Sequence, residues 1–188
     1  MLAIEGEAAV SIASGSDTVN LALTVARVWV GVVMFAHGWR HLQSVRSGPG
    51  MANWFESLGL KPGKLHAWNV TLTELAVGPA LMLGLLTPAA YGGTAAILLV
   101  ALATNHWKNG FFINSPGEGW EYVGTLAVLS VALGALGPGK WSLDDAFDLV
   151  FPFDPRKAAI VAAVIGIGGT VAFLAAFWRP PKKTAAKT

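Results

Sequence analysis

Apolar residues gather into five long runs separated by short polar breaks: Val19 to Leu42, Trp68 to Leu86, Ala89 to Trp107, Trp120 to Leu136 and Ala158 to Trp178. A helix needs about 20 apolar residues to cross a hydrocarbon core, so the pattern predicts five transmembrane helices. Only Thr87 and Pro88 part the second run from the third, which forces an antiparallel hairpin. Between the first two runs, Gly48, Pro49 and Gly50 break the helix, and MANWFESLGL predicts a short amphipathic helix on the membrane surface. The segment GPGKWSLDDAFDLVFPFDPRK is polar and proline-broken and is expected at an interface. The chain thus divides into an N-terminal tail (1–18), a four-helix transmembrane domain (19–144), an interfacial connector (145–157), a fifth transmembrane helix (158–178) and a basic C-terminal tail (179–188). The fold class is all-α: a polytopic membrane protein with an antiparallel four-helix transmembrane bundle and an additional fifth helix.

Composition agrees with the pattern. Apolar residues make up 54% of the 188 and charged residues 13%, with a mean hydropathy of +0.54, a balance that suits lipid rather than water. Five spans leave no room for a separate soluble catalytic domain, so any chemistry sits between helices or at their ends. A net charge of +2, with the lysines and arginines in loops and tail, gives no electrostatic footprint for nucleic acid. The chain has no cysteine, which excludes disulfide scaffolds, thiolate metal sites and thiol redox relays. Electrons, if they are handled, ride on a bound cofactor or a partner.

Orientation follows from the positive charges. With the N-terminus outside, Arg40, Arg46, Lys61, Lys64, Lys108, Arg179, Lys182, Lys183 and Lys187 are cytoplasmic, while Lys140, Arg156 and Lys157 are external. Nine against three favours an external N-terminus and a cytoplasmic C-terminus. The first 17 residues hold Glu5, Glu7 and Asp17 but no basic residue, so they read as a mature tail rather than a signal peptide. Tryptophans 39, 68, 107, 120, 141 and 178 fall near helix ends, as an aromatic belt requires.

Ionisable groups within the spans each need an explanation, because one at a bilayer centre costs at least about 2.5–3.5 kcal/mol. Arg27, His37, Arg40 and His41 lie on the first helix, Glu74 on the second, His106 ends the third and Glu121 begins the fourth. Since consecutive helices reverse, His37, His41, Glu74, His106 and Glu121 are expected to converge at one face of the membrane. His37 and His41 lie one turn apart, and Arg27 is about 40° from His41 around the axis but about 15 Å deeper than His37. The expectation is that Arg27 points into the bundle toward a carboxylate or backbone carbonyls, Glu74 being the nearest candidate by depth. In the second helix Gly78 and Pro79 predict a kink or a close helix approach. Gly166, Gly168 and Gly169 predict a small-residue contact with the bundle or a partner helix.

Such a cluster has several readings. It could bind a metal, shuttle protons or hydrogen-bond the oxygens of a quinone head group whose tail lies between helices. The metal reading is weakest, since no Glu-x-x-His pair occurs, and neither a metal nor a covalent cofactor is predicted. In the structural alternative, Arg27 and Glu74 neutralise each other while the histidines and Glu121 cap helix ends and bond loop backbone.

The residues also resemble a known family, the DoxX-like membrane proteins. The resemblance runs through Arg27, Gly31, Phe35-Ala-His37-Gly38 with Arg40, Trp54-Phe55, Gly59-Leu60 and Glu74. It continues through Leu83-Gly84-Leu85-Leu86-Thr87, His106 with Gly110-Phe111-Phe112, Glu121, and Gly137-Pro-Gly139-Lys-Trp141-Ser142-Leu143-Asp144. Trp141 stands where many members carry tyrosine. The resemblance implies a four-helix bundle, with the fifth helix outside the shared core. The family includes a small subunit of an archaeal thiosulfate:quinone oxidoreductase, and actinobacterial relatives are associated with membrane oxidoreductase complexes involving superoxide dismutase and a sulfurtransferase. A prokaryotic cytoplasmic membrane is implied. Arg27, His37, Glu74, His106 and Glu121 match the family pattern.

Together these readings predict a membrane subunit or anchor of a quinone-linked oxidoreductase assembly. His37, Glu74, His106 and Glu121 are its candidate proton relay, and Arg27, His37, His41, Glu74 and His106 its candidate quinone pocket. The alternative is a structural or assembly subunit, joined to other membrane subunits through the fifth helix and the 137–157 segment. A solute transporter ranks last, since no inverted repeat is visible.

Overall fold

The computed structural model describes residues 17–149 and 154–181. Residues 1–16 of the N-terminal tail, part of the connector and the end of the C-terminal tail therefore lie outside the described residues. Helix α1 spans Asp17–Ser47, α2 Gly50–Ser57, α3 Gly63–Leu83, α4 Thr87–Ala101, α5 Glu121–Leu136, α6 Leu143–Ala146, α7 Pro155–Ala163 and α8 Gly169–Phe177. A π-helical turn, Leu102–His106, prolongs α4, and another, Val164–Gly168, joins α7 to α8 into one rod. Among the described residues three helices are long and apolar enough to cross a membrane, Asp17–Ser47, Thr87–Asn109 and Arg156–Phe177, with Glu121–Leu136 a shorter apolar helix. The chain is an all-α, multi-pass membrane protein. Helix α3 is 21 residues long, but Lys64, His66, Asn69 and Glu74 dilute its apolar character.

Helix α1 packs closely along α3, and two glycines allow it. A Cβ on Gly31 would lie 2.6 Å from the Gly78 carbonyl oxygen, and one on Gly78 would lie 2.8 Å from the Phe35 nitrogen. The expected close approach at Gly78 is thus a contact of backbone on backbone, the arrangement small residues permit in lipid. Val30 and Met34 of α1, Val77 and Leu81 of α3, and Ala90 and Tyr91 of α4 form the core, with Leu126 and Leu133 of α5 packed against it.

The fifth rod docks on this same bundle. Asp154 caps its start, its carboxylate accepting the Arg156 N–H at 2.9 Å, and Pro155 takes the first helical position, where its missing N–H costs nothing. Ala162 presses on Gly134 and Gly166 on Ala95, so Gly166 makes the contact predicted for it. At the far end the Trp178 Nε1–H donates to the Leu58 carbonyl at 2.9 Å, and the Arg179 N–H donates to the Gly59 carbonyl at 2.8 Å. These bonds tie the rod to the α2–α3 connection.

Candidate functional site

Arg27 does not meet Glu74, which corrects the pairing expected from depth. Its guanidinium is 2% exposed and turns to the opposite end of the bundle, where Nη2 donates to the Trp141 carbonyl at 2.6 Å. The Asp144 carboxylate adds a favourable field. Gly84, whose φ of +67° ends α3 in the left-handed region, makes the space: a Cβ there would collide with Arg27 Nη1. Asp144 holds the turn on its other side. Its Oδ1 accepts the Leu86 N–H at 2.6 Å and its Oδ2 the Thr87 N–H at 2.8 Å, while its own N–H donates to the Gly84 carbonyl at 2.8 Å. A carboxylate on the first N–H groups of α4 also meets the positive end of that helix. The Ser142-Leu143-Asp144 segment is a clamp on the α3–α4 hairpin, and Arg27 is its buried counter-charge.

The other end of the bundle holds a cavity of about 430 Å³, within the range of small-molecule sites. Apolar residues of α1, α4, α5 and α8, among them Met34, Ile97, Leu126 and Phe173, line most of it. Into these walls His37, His41, His66, Asn69 and His106 introduce a few polar groups. Both π-helical turns border the cavity, one through Thr104, Asn105 and His106 and the other through Ile165, a feature common at functional sites.

The shortest polar contact beside the cavity joins His41 Nδ1 to Glu74 Oε2 at 2.6 Å. Glu74 is 4% exposed, and His41 is its hydrogen-bond partner across the α1–α3 interface. The His37 ring stands edge-on to His41, centroids 6.3 Å apart. Of the expected convergence, His37, His41 and His106 line one cavity and Glu74 stands directly behind His41. Arg27 and Glu121 lie outside its lining.

His106 and Glu121 also behave as the structural alternative anticipated. His106 Nδ1 lies 2.9 Å from the Glu118 carbonyl, and Glu121 Oε2 accepts the Ile113 N–H at 3.1 Å, so both hold the 110–120 loop. Among the described residues no group of three or more His, Cys, Asp or Glu side chains could hold a metal ion.

His66 was missed by the sequence reading. It precedes the apolar run that begins at Trp68 and so counted as loop, yet α3 begins at Gly63 and buries it. Its ring stands against Phe173 and Phe177, with centroids 5.1 and 4.9 Å away. The signal was its spacing: His66, Asn69, Val70 and Thr73 recur at helical intervals on one face, and all four line the cavity.

Residues 22–107 match the DoxX family model. Comparison with curated proteins and with solved structures yields no match.

Proposed function

Because residues 22–107 form a DoxX family domain, we propose that the chain is a membrane subunit or anchor of a quinone-linked oxidoreductase assembly, with the quinone pocket in the histidine-lined cavity. The carrying observation is the His41–Glu74 pair at 2.6 Å on the wall of an otherwise largely apolar cavity. Apolar walls suit a ring and tail from the lipid phase, and a few placed histidines suit ring oxygens. A bound quinone supplies two-electron, two-proton chemistry, its electrons exchanged with a partner subunit or a diffusible reductant. His37 would hydrogen-bond a ring oxygen, His106, whose Nδ1–H is taken by the Glu118 carbonyl, would accept a quinol hydroxyl at Nε2, and the His41–Glu74 pair would hold or pass a proton. Arg27 serves the fold from the other end, while Glu121 fixes the 110–120 loop.

In this reading α1, α3, α4, α5 and the fifth rod all span a prokaryotic cytoplasmic membrane. The external N-terminus favoured by charge places the histidine end on the cytoplasmic side and the Arg27 clamp outside. A non-catalytic assembly subunit is the second reading. It is favoured by the outward face of the fifth rod, where Val161, Val164, Ile167 and Val171 are exposed and could meet another chain. Native mass spectrometry of the protein gently extracted from its own membrane tests both. A retained quinone is expected on the chain or its complex. Stoichiometric foreign subunits without a quinone would overturn the pocket and leave the assembly role.

A further inference from the structure

A second cavity of about 590 Å³ opens where α1 turns into α2, lined by Arg40, Gln43, Ser44 and Ser47 together with His41 and Trp54. Those last two residues also line the first cavity, so His41 stands in the wall between an apolar chamber and a polar vestibule. Glu74 lines neither cavity. Its carboxylate lies behind the His41 ring and bonds to Nδ1.

The His41 side chain keeps 28% of its surface exposed, against 5% for Glu74. An imidazole bonded to a buried carboxylate through one nitrogen, with its ring bordering a space lined by polar side chains, can pass a proton: one nitrogen takes a proton as the other gives one up. Around it, His37 of α1 faces the ring, Arg40 lines the vestibule and His66 of α3 borders the chamber. Among the described residues no lysine, aspartate or glutamate lines either cavity.

We propose that His41 is the proton gate between Glu74 and the polar vestibule. A proton leaving the Glu74 carboxyl passes to His41 Nδ1 while the Nε2 proton passes to vestibule water; uptake runs in reverse. No charge accumulates on the imidazole, and ring rotation or tautomer exchange resets it. This deepens the proton-handling part of the proposed function, but it concerns the carboxylate itself and is tested without any quinone.

The test is infrared spectroscopy of the full chain in lipid, following the carboxyl band that Glu74→Gln removes after a pH jump. In the unmodified protein the band is expected to follow bulk pH as fast as mixing. His41→Gln, whose amide can still donate to the carboxylate but cannot relay a proton, is expected to slow it by about 100-fold. Added imidazole is expected to restore the rate, which a merely structural histidine would not permit. His41→Phe checks the result with a ring that keeps the packing, and tryptophan fluorescence confirms the fold of each variant. Unchanged kinetics in both variants, a band that never responds to pH, or slowing that imidazole leaves untouched would each overturn the gate. A chain that passes this test and binds no quinone would sink the pocket while leaving the gate standing.

Discussion

Replacing Asp144 by alanine is expected to remove about 3–5 kcal/mol of stability, enough to prevent recovery of folded protein in detergent. The carboxylate accepts the Leu86 and Thr87 N–H groups through separate oxygens, and Asp144 is 1% exposed, so alanine leaves a buried donor with no water to replace the lost acceptor. It also strips Arg27 of its nearby negative charge, leaving a guanidinium 2% exposed held mainly by one carbonyl. Arg27→Met alone is expected to cost less, because Asp144 keeps both backbone donors. The double variant should lose less than the two single losses added together, since the apolar side chain removes the stranded charge. Thermal unfolding followed by the intrinsic tryptophans measures this cycle; the chain has eight, and thiol dyes have no cysteine to report on. Strict additivity would show that Arg27 and Asp144 do not act together.

Glu74→Gln is expected to separate function from fold. The amide matches the carboxylate in shape and can still bond His41, so Tm should move by no more than about 4 °C. What glutamine cannot do is take up and release a proton, and loss of a positioned acid–base group costs about 100-fold in rate. Quinone-linked electron flux in membranes carrying the variant should fall by about that factor with subunit assembly unchanged. Flux at the unmodified level would mean that the 2.6 Å pair is a structural bond, and would favour the assembly reading. Loss of the assembled complex would mean the same.

How much of this was legible in the sequence varies with the range of each contact. All five apolar runs became helices because run length and polar breaks are local properties. Helix reversal then placed His37, His41 and His106 around one space, since antiparallel connectivity orders the ends of helices without further information. That Arg27 turns inward to a backbone carbonyl was legible, but which carbonyl was not. Depth along a helix favoured Glu74, but Arg27 reaches Trp141, 114 positions away in sequence, in a polar segment expected at the membrane interface. A buried clamp of that kind shows only when the chain is closed. Nor could composition show that the fifth rod would wall the cavity through Ile165 and Phe173, or that the π-helical turns would fall beside it. The periodic face of α3 was readable, but starting the helix at Trp68 rather than Gly63 hid His66.

Photolabelling tests most directly whether the histidine end of the bundle holds a quinone. A quinone bearing a photoreactive group on its ring, irradiated with the full chain in native membranes, should label residues around His37, His41 and His106, and excess unlabelled quinone should suppress the adducts. Peptide mass spectrometry would locate them. Labelling confined to the lipid-facing surfaces of α1 and the fifth rod, and indifferent to competing quinone, would contradict the pocket.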